Sequence, residues 1–545
     1  MKKSLVLTLV LVLALSLVFT GCGPKEPAGN GEEQGSADLK ILRSNNVFEP
    51  GSLDPALAEG THESWVLDHV FEGLMKIDQD MQVVPGMAES YEVSDDFLTY
   101  TFTLRDGITW TNGDPVTAED FEFTFKRALD PDLAADYAFQ LYYIKGAEAY
   151  NTGEGSVDDV AVKALDEKTL EVVLESPVGY FLELTAFFTY YPVNKSVVEE
   201  NPDWAKNAET HVSNGPFELV EWSHDANISL RKNENYYDAD SVKLDGIDLA
   251  IINDENTAWQ AYEGGDFDFL TEVPQAVVAQ LIEENNPELV IGKMVGTYYY
   301  NVNSKVKPFN NAKVRKGMSM CLDRQTIVDK ISQGGEIAAE GVVPFGMFDE
   351  DGEEYRNKVG NLVEYNPEEG KKLFEEGLAE EGMTADDFSQ FAILYNTLEA
   401  HKKIAQAAQE MWRKNLGIEV QLENVDFQVK LDREKAGDYE ISRGGWIGDY
   451  MDPMSFIDLW YSTGSFNDVK FNNPVYDGYV NTAKGTAEQD IRFEAMRAAE
   501  KLIMDEMAVI PVYFYTQPYA QKPYVTGVYK PLVNYPKLTY ADMTK

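Results

Sequence analysis

The sequence predicts an α/β protein with more than one lobe, and three observations support this prediction. The chain has 545 residues, which corresponds to three or four units at about 150 residues per domain. Hydrophobic residues make up 44% of the chain and aromatic residues 12%, which is enough for large cores and excludes a mainly disordered chain. From residue 39 onward, strand-like and helix-like segments alternate without repeats or low-complexity breaks.

The first half of the chain supplies the earlier elements of this alternation. A short helix is expected over residues 63–71. Thr117 has the properties of a helix N-cap, because Asp120 follows three positions later, and this helix should run through Leu129. Apolar alternation and bounding turn residues predict strands over 39–43, 100–104 and 169–174, and a hairpin of 216–222 with 227–230.

A strand–helix–strand unit in the second half is the clearest indication of parallel pairing. Residues 391–395 predict a strand, Thr397 can cap the helix that follows, and Gly417 can end that helix. The helix has one apolar face, and residues 418–422 predict the next strand. Because a crossover of this length joins parallel strands, the unit favours the α/β class.

The N-terminus has the parts of a secretory signal. Residues 1–3 are basic, residues 4–19 are almost entirely apolar, and Cys22 follows small residues. This pattern resembles a bacterial lipoprotein signal, which implies removal of residues 1–21 and lipidation of Cys22. The alternative is an uncleaved transmembrane anchor, for which the apolar run is short. Residues 22–37 are rich in Gly, Glu and Pro and predict a flexible tether.

Composition argues against several classes of function. The formal net charge is −47, which opposes binding to nucleic-acid phosphates and indicates a diffuse acidic surface. The 2 cysteines exclude a disulfide framework, and Cys321, in a helix-like stretch, is expected to be a buried free thiol. The 5 histidines leave little material for a metal site, so we predict neither a metal nor a cofactor.

Searches for catalytic motifs give no positive support for an enzyme. The Gly-Lys pair at 292–293 lacks the Ser or Thr that a phosphate-binding loop requires next. His62 and Glu63 could begin a zinc-protease motif, but Val66 occupies the position of the second histidine. A Gly-x-Ser-x-Gly nucleophile motif is absent, and the carboxylates are too numerous for one catalytic pair to be singled out.

Three segments instead stand out by their aromatic residues, and one of them also carries glycines and acids. They are the tyrosine-rich segments 298–300 and 511–515, and the segment 443–453, which contains three glycines, Trp446, Tyr450 and two acids. Glycine allows another backbone to approach closely, while Trp and Tyr provide rigid walls with a polar tip. Ordinary core packing is the alternative interpretation for each segment, although 443–453 fits a simple core poorly.

Several motifs resemble the signature of the peptide-binding proteins of ABC importers, the extracellular solute-binding proteins of family 5. The most specific match spans 88–121 and includes WTNGDPVTAEDF at 110–121. The Gly-Asp-Tyr at 448–450 resembles the oligopeptide branch, because dipeptide binders more often have Asn where Tyr450 stands. Further motifs that match in chain order, with normal spacing, are 52–55, 213–217, 298–301, 366–373 and 445–453.

The resemblance implies a two-lobed periplasmic-binding-protein type II fold with an additional inserted domain. The two lobes would be joined by two crossover strands and would close over a ligand. The implied boundaries are lobe I at 38–71, 195–295 and 517–545, inserted domain II at 72–194, and lobe III at 296–516. Both tyrosine-rich strands would then lie beside the hinges.

The resemblance also implies residues that hold the groups common to all peptides. Strand addition would fix the peptide backbone by main-chain hydrogen bonds and leave the side chains loosely held. Asp449 corresponds to the family aspartate that pairs with the peptide ammonium; a turn-forming role beside Gly448 is the alternative. The residues expected to face the peptide backbone are Gly444, Gly445, Trp446 and Ile447 on one lobe, and Glu59, Gly60 and Thr61 on the other.

The peptide carboxylate needs a basic partner, and Arg443 and His401 match the family positions that serve peptides of different length. His401 also lies in the first turn of a predicted helix, where backbone N–H groups favour anions. An exposed helix histidine is the alternative interpretation of His401. Arg433 is a weaker candidate, and two other family positions for a carboxylate partner are Glu434 and Ser332 in this chain.

These features predict an extracytoplasmic, lipid-anchored receptor that binds short oligopeptides and delivers them to an ABC permease. Tyr299 and Tyr515 complete the predicted ligand-binding residues. The expected partners are peptides, the permease and its ATPase subunits; contact with the membrane is through the lipid alone, and we expect a monomer. Two alternatives remain: a same-fold receptor for an oligosaccharide or nickel complex, and a secreted hydrolase or chaperone-like surface protein. Asp449 beside Arg443 favours a zwitterionic ligand.

Overall fold

The computed structural model describes residues 39–544 except positions 81, 487 and 534. The predicted signal at 1–21, the tether at 22–37 and the lipidated Cys22 therefore lie outside the described residues. Within the described part of the chain, no helix is both long enough and apolar enough to cross a membrane.

The described strands include two that are much longer than the others, β12 with 14 residues and β17 with 13 residues. The strands are β1 Ile41–Asn45, β2 Met75–Ile77, β3 Val83–Pro85, β4 Ala88–Val93, β5 Thr99–Leu104, β6 Val162–Ala164, β7 Thr169–Val173, β8 Phe217–Ser223, β9 Asn227–Lys232, β10 Gly246–Ala250, β11 Phe269–Leu270, β12 Leu289–Val302, β13 Ile337–Ala338, β14 Ala392–Asn396, β15 Gln421–Val425, β16 Ile441–Ile447, β17 Val509–Gln521, β18 Val525–Thr526 and β19 Asp542–Met543.

The two longest described α-helices have 18 residues each, namely α12 and α16. The α-helices are α1 Thr61–Val70, α2 Ala118–Ala128, α3 Ala147–Asn151, α4 Phe181–Leu184, α5 Lys195–Glu200, α6 Glu255–Gly264, α7 Gln275–Glu283, α8 Ala312–Met320, α9 Arg324–Ile327, α10 Tyr355–Val359, α11 Pro367–Glu381, α12 Glu399–Leu416, α13 Phe427–Ala436, α14 Met454–Ile457, α15 Pro474–Lys484 and α16 Gln489–Glu506.

Three larger sheets organise the described chain. The first has the order β1-β10-β9-β8, with β1 and β10 parallel, and the second is the antiparallel sheet β4-β5-β7-β6. The third has the order β11-β17-β12-β16-β14-β15, with β13 paired to β17. The second sheet is made from strands within 72–194, the predicted inserted domain. The numbered domain boundaries themselves stay a prediction.

The long strands β12 and β17 connect the two lobes. They pair antiparallel from Leu289 opposite Ala520 to Asn301 opposite Val509. The register shifts between Lys293 and Thr297, so the ladder is interrupted partway along. On one side of this interruption β17 also pairs with β11, and on the other β12 also pairs with β16. The two strands thus run from the first lobe into the sheet of the second.

Most local predictions in the first half of the chain are confirmed. The predicted strands at 39–43, 100–104 and 169–174 correspond to β1, β5 and β7, and β8 with β9 forms the predicted hairpin. Thr117 is the N-cap of α2, and its backbone N–H and hydroxyl both donate to the Asp120 carboxylate. Short-range hydrogen bonding of this kind can be read from sequence because both partners lie within one helical turn.

The strand–helix–strand unit is confirmed, but two of its details were wrong. β14 and β15 are parallel, and Gly417 ends α12 in the left-handed conformation. Leu398, rather than Thr397, is the N-cap of α12. The Thr397 hydroxyl instead donates to the Asn424 side-chain oxygen and to the Val425 carbonyl, both in β15. The second strand begins at Gln421, where pairing with β14 starts; Ile418 and Val420 before it are buried but unpaired with β14.

Cys321 is a buried free thiol, as predicted. It follows α8 directly and caps its carboxyl end. Burial raises the pKa of the Cys321 thiol to about 12, so the reactive thiolate form is suppressed at neutral pH.

Candidate functional site

A cavity of about 310 Å³ lies where strands of two sheets end. From the first sheet, its lining includes Phe48, which follows β1, and Glu255, which follows β10. From the third sheet it includes His401, which follows β14, and Asp449, which follows β16. Ligands of open α/β sheets characteristically bind beyond the carboxyl ends of strands, so both lobes present their binding ends to one space.

The structure brings all the predicted ligand-binding residues to this cavity. Glu434 and Ser332 also line it, but the weaker candidate Arg433 does not. The Arg433 guanidinium is instead held by Glu423 at 2.7 Å. The predicted residues that line the cavity are Glu59, Gly60, Thr61, Tyr299, His401, Arg443, Gly444, Gly445, Trp446, Ile447, Asp449 and Tyr515.

Asp449 presents a carboxylate that has no cationic partner among the described residues. Its Oδ2 accepts a hydrogen bond of 2.5 Å from Nε2 of Gln140, which comes from the predicted inserted domain. Its backbone N–H donates to Ser455 Oγ at 2.8 Å, which serves the turn, but the carboxylate bonds to a residue far away in sequence. Burial raises the pKa of Asp449 well above its ordinary range, and the Gln140 bond only partly opposes this. A cation would stabilise the charged carboxylate here.

Arg443 presents a guanidinium that forms no ion pair with a described residue. Its Nη2 donates to the Tyr515 hydroxyl at 2.8 Å, and its guanidinium carbon lies 4.9 Å from the Tyr298 ring centre. Its Nε has no hydrogen-bond partner in the described structure. Burial lowers the pKa of Arg443, but the neighbouring tyrosines outweigh this effect and leave the pKa raised. The guanidinium therefore stays charged and can bind an anion.

His401 is buried, so the interpretation as an exposed helix histidine was wrong. It is the third residue of α12, and only 6% of its surface is exposed. Burial lowers its pKa well below the ordinary value, and the charges of Arg443 and Lys430 lower it further. The ring is therefore neutral at neutral pH and can donate one hydrogen bond, but it does not act as a cation. Its Nδ1 has no partner among the described residues.

The strand β16 offers an unpaired edge to the cavity. Along its whole length it pairs with β12, from Gly296 opposite Ile447 to Val302 opposite Ile441. On the other side β14 pairs only with Ile441 and Ser442. The stretch from Arg443 to Ile447 consequently has backbone groups on one side that no described strand takes up. This is the geometry that strand addition requires.

The two glycines of β16 are needed by the aromatic residues around them. A Cβ on Gly445 would lie 2.5 Å from the Tyr515 hydroxyl and 3.2 Å from Arg443 Nη2. A Cβ on Gly444 would clash with the Tyr299 ring. Trp446 completes this wall, with its ring centre 4.9 Å from that of Phe466. The β16 glycines, Trp446 and the aromatic rings around them are therefore partly packed as core and partly form the cavity wall.

In the facing segment, the backbone N–H groups of Glu59 and Gly60 are already used by the protein itself. Glu59 and Gly60 both donate to Glu63 Oε2 at 2.7 Å. Gly51 and Ser52 donate to the other oxygen of the same carboxylate. The Glu63 carboxylate thus caps the backbone of two loops and is not part of a zinc motif. The N–H groups of residues 59 and 60 are not available to a ligand.

The Glu59 carboxylate takes part in a contact between three segments. Lys435 Nζ lies 2.7 Å from Glu59 Oε2 and 2.8 Å from Asp136 Oδ2. Burial raises the pKa of Glu59 to about 7; Lys435 lowers it and Asp136 raises it. This ion pair joins predicted lobe I and the inserted domain to predicted lobe III.

Sequence reasoning missed several polar residues of the site. Gln140 and Lys435 act across the cleft, and Glu255, Glu272 and Gln517 line the cavity. None of them belongs to a local motif, and single glutamates cannot be distinguished among 93 acidic residues. Only their position in the folded chain identifies them.

The fold and cleft define the class of the protein: a two-lobed solute-binding protein of the type II periplasmic-binding fold, with an additional domain. Residues 82–468 match the family described as bacterial extracellular solute-binding proteins, family 5 Middle, and the chain belongs to this family.

Two curated relatives and one solved structure extend the comparison. The chain is 42% identical over 540 residues to the oligopeptide-binding protein OppA of Bacillus subtilis, covering 97% of each chain. It is 39% identical over 538 residues to the dipeptide-binding protein DppE of the same organism, covering 98% of each. The structure of Haemophilus influenzae OppA in complex with RPPGFSPFR matches with a TM-score of 0.86 at 32% identity, covering 93% of this chain and 100% of that one.

Proposed function

We propose that the protein binds short oligopeptides in the cavity and delivers them to an ABC permease. The observation that carries the proposal is that the Asp449 carboxylate and the Arg443 guanidinium line the same cavity and that neither forms an ion pair with a described residue. A peptide has the matching ammonium and carboxylate. The names of the two Bacillus subtilis relatives, an oligopeptide-binding and a dipeptide-binding protein, support the same ligand class.

In this proposal the binding contacts fall on groups that every peptide shares. Asp449 pairs with the ammonium, and the free edge of β16 at 443–447 bonds to the peptide backbone in an extended conformation. Arg443 pairs with the carboxylate of some peptides, and the neutral His401 donates one hydrogen bond to that of others. Charge-assisted hydrogen bonds in a buried site are strong, so the two ends supply much of the affinity.

Closure of the lobes follows from contacts that span the cleft. Gln140 bonds to Asp449, and Lys435 bonds to both Glu59 and Asp136. A ligand that touches both lobes stabilises this closed arrangement by its differential affinity for it. No step of the proposal involves turnover, which separates it from a hydrolase. Asp449 together with Arg443 favours a zwitterionic ligand over an oligosaccharide or nickel complex.

The proposed location is the outer face of the cytoplasmic membrane, with a lipid anchor at Cys22. Membership in a family of extracellular solute-binding proteins supports the side of the membrane. The resemblance of residues 1–22 to a lipoprotein signal supports the anchor. Radioactive palmitate should label the wild type and not Cys22→Ala; equal labelling of both would contradict the anchor.

The binding proposal is tested by isothermal titration of the purified protein with tripeptides to pentapeptides. We expect binding without cleavage, and small-angle scattering should give a smaller radius of gyration at saturating peptide. Peptide hydrolysis, or binding without any change in radius, would contradict the proposed receptor mechanism.

A further inference from the structure

Two cavity carboxylates have no role in the proposed contacts to the peptide backbone and ends. Glu255 begins α6, shortly after β10 ends at Ala250, and Glu272 follows β11 by two positions. Because α6 links β10 to β11, the two carboxylates are separated along the chain by one helix and one short strand. Both line the same cavity as Asp449 and Arg443.

The surroundings of these carboxylates contain unsatisfied polar groups. Glu255 is only 7% exposed and has no hydrogen bond or ion pair with any described residue. Gln517 is 4% exposed and lines the cavity, and neither its amide oxygen nor its amide nitrogen has a partner in the described chain. The hydroxyl of Thr271, beside Glu272, is buried and unpartnered as well. Buried polar groups of this kind are normally hydrogen-bonded, so a polar ligand group is expected between them.

The register of β11 and β17 places the segments of Thr271, Glu272 and Gln517 side by side. β11 pairs with β17 at Leu270 opposite Ala520; Thr271 and Glu272 directly follow β11, and Gln517 precedes Ala520 on β17. The Glu272 hydrogen bond is with the Tyr535 hydroxyl, at 3.1 Å. The site thus has two carboxylates and an amide, with no cation bonded to either carboxylate in the described residues.

Electrostatics support a positive ligand group at this position. Burial raises the pKa of Glu255 to about 8, and the charge of Glu272 is the next largest cause. Glu399 and Asp254 add to the negative potential at Glu255, whereas Lys403 opposes it without forming an ion pair. The charge of Arg443 likewise lowers the pKa of Glu272 without forming an ion pair with it. Because each carboxylate opposes the ionisation of the other, Glu255 and Glu272 ionise together only when a cation compensates them.

We propose that Glu255, Glu272 and Gln517 form a subsite for the cationic side chain of a bound peptide, a lysine or an arginine. This inference rests on the proposed peptide-binding function. An ammonium has three donors, and a guanidinium five, so either can bond to both carboxylates and to the Gln517 amide oxygen. A neutral side chain leaves the carboxylates unpaired, and the protein consequently prefers peptides with one basic residue at a fixed position.

The test is a titration of the full-length protein with tetrapeptides of alanine that carry lysine at position two, three or four. Norleucine replaces lysine in the matched peptides, which keeps the apolar stem and removes the charge. The wild type should prefer lysine over norleucine by about tenfold or more at one position. The double variant Glu255→Gln and Glu272→Gln should reduce this ratio to less than about twofold and keep its affinity for the norleucine peptide.

The control variant is Glu263→Gln, an exposed glutamate of the same helix, which should keep the full preference. The single variant Glu255→Gln should give an intermediate ratio, and thermal unfolding verifies that both glutamine variants fold. Equal binding of lysine and norleucine peptides by the wild type would overturn the subsite and leave the peptide-binding function intact. Retention of the preference in the double variant would also overturn it. Failure of every peptide to bind would contradict the proposed function, and the subsite with it.

Discussion

The two walls of the cavity use their backbone groups in opposite ways. On β16, residues 443–447 pair with β12 on one side and leave the other side open. On the facing wall, the N–H groups of residues 51, 52, 59 and 60 all donate to Glu63. One wall is thus incomplete without a ligand, whereas the backbone of the other is satisfied by its own chain.

This difference separates two tasks. The incomplete β16 wall, with Asp449 and Arg443, suits the groups that are the same in every peptide. The facing wall carries side chains such as Glu255 and Glu272, which suit selection among peptides. A receptor can therefore be tolerant at one wall and selective at the other, and each wall can be tested by substitution.

The largest effect is expected from Asp449→Asn, which removes the charge of the β16 wall. The peptide ammonium would then be buried without its partner, at a cost of roughly 2–5 kcal/mol in binding free energy. Titration with a tripeptide and with its N-acetylated form measures this effect. The wild type should prefer the free amine strongly, and the variant should lose most of that preference.

The exposed aspartate variant Asp438→Asn is the control and should bind like the wild type. A turn-forming role for Asp449 leads to a different result, namely lower thermal stability with unchanged discrimination between the two peptides. A well-folded Asp449→Asn protein that still discriminates would show that another group holds the ammonium.

A smaller loss of peptide affinity is expected from Gly445→Ala, which changes the shape of the β16 wall without altering its charge. The new Cβ would press on the Tyr515 hydroxyl and on Arg443. Overpacking of this kind costs about 1–3 kcal/mol, which should appear mainly as weaker peptide binding. Gly478→Ala is the matched control, since nothing lies within 4 Å of its Cβ in α15. It should bind normally and be slightly more stable. Equal affinities of the two variants would contradict the role of Gly445.

A loss of peptide affinity of about three- to tenfold is expected from Lys435→Met, which removes the ion pairs of Lys435 with Glu59 and Asp136 across the cleft. Glu59 and Asp136 would then face each other without a cation, and the closed arrangement would be less favourable. Titration should show lower affinity for all peptides, with the preference for a free amine retained. Lys402→Met, which breaks only a pair with Glu399 within α12, is the control. A change in selectivity instead of overall affinity would argue that Lys435 contacts the ligand.

The smallest effect concerns the pH dependence of stability in the peptide-free protein. The pKa of Glu59 is raised to about 7 and that of Glu255 to about 8. Since the folded protein holds these protons more tightly than the unfolded chain, their contribution to stability is full below about pH 4.5 and is lost towards pH 8. The wild type should therefore melt roughly 1–2 °C higher at pH 6 than at pH 8. Glu255→Gln should reduce this difference, and an unchanged difference would exclude Glu255 as a source.

Sequence was sufficient for features whose partners lie close along the chain or within one motif. The Thr117 cap needed only Asp120, and the segment 443–449 carried glycines, an aromatic residue and an acid in one run. The family resemblance then placed His401 and Glu59 in the same site. All twelve predicted residues do line one cavity.

The remaining features depend on contacts that no local pattern encodes. Gln140 meets Asp449 across 309 positions of sequence, and Lys435 meets Glu59 across 376. The neutral state of His401 follows from burial, which the position of a histidine in a helix does not reveal. The apolar residues at 418, 420 and 422 alternate with polar ones, which predicts a strand from Ile418. The strand β15 starts only at Gln421, because hydrogen-bonded pairing with β14 starts there.

The Glu63 carboxylate also has a consequence for the entropy of binding. One side chain fixes two loops, at 51–52 and at 59–60, by four hydrogen bonds of 2.7–3.0 Å. A ligand that arrives at this wall does not have to order it, so little conformational freedom is lost on that side. This entropic advantage is the same for every peptide sequence. Preorganisation of this wall by a single carboxylate therefore raises the affinity for all peptides alike, and selection among them is left to the side chains that the wall carries.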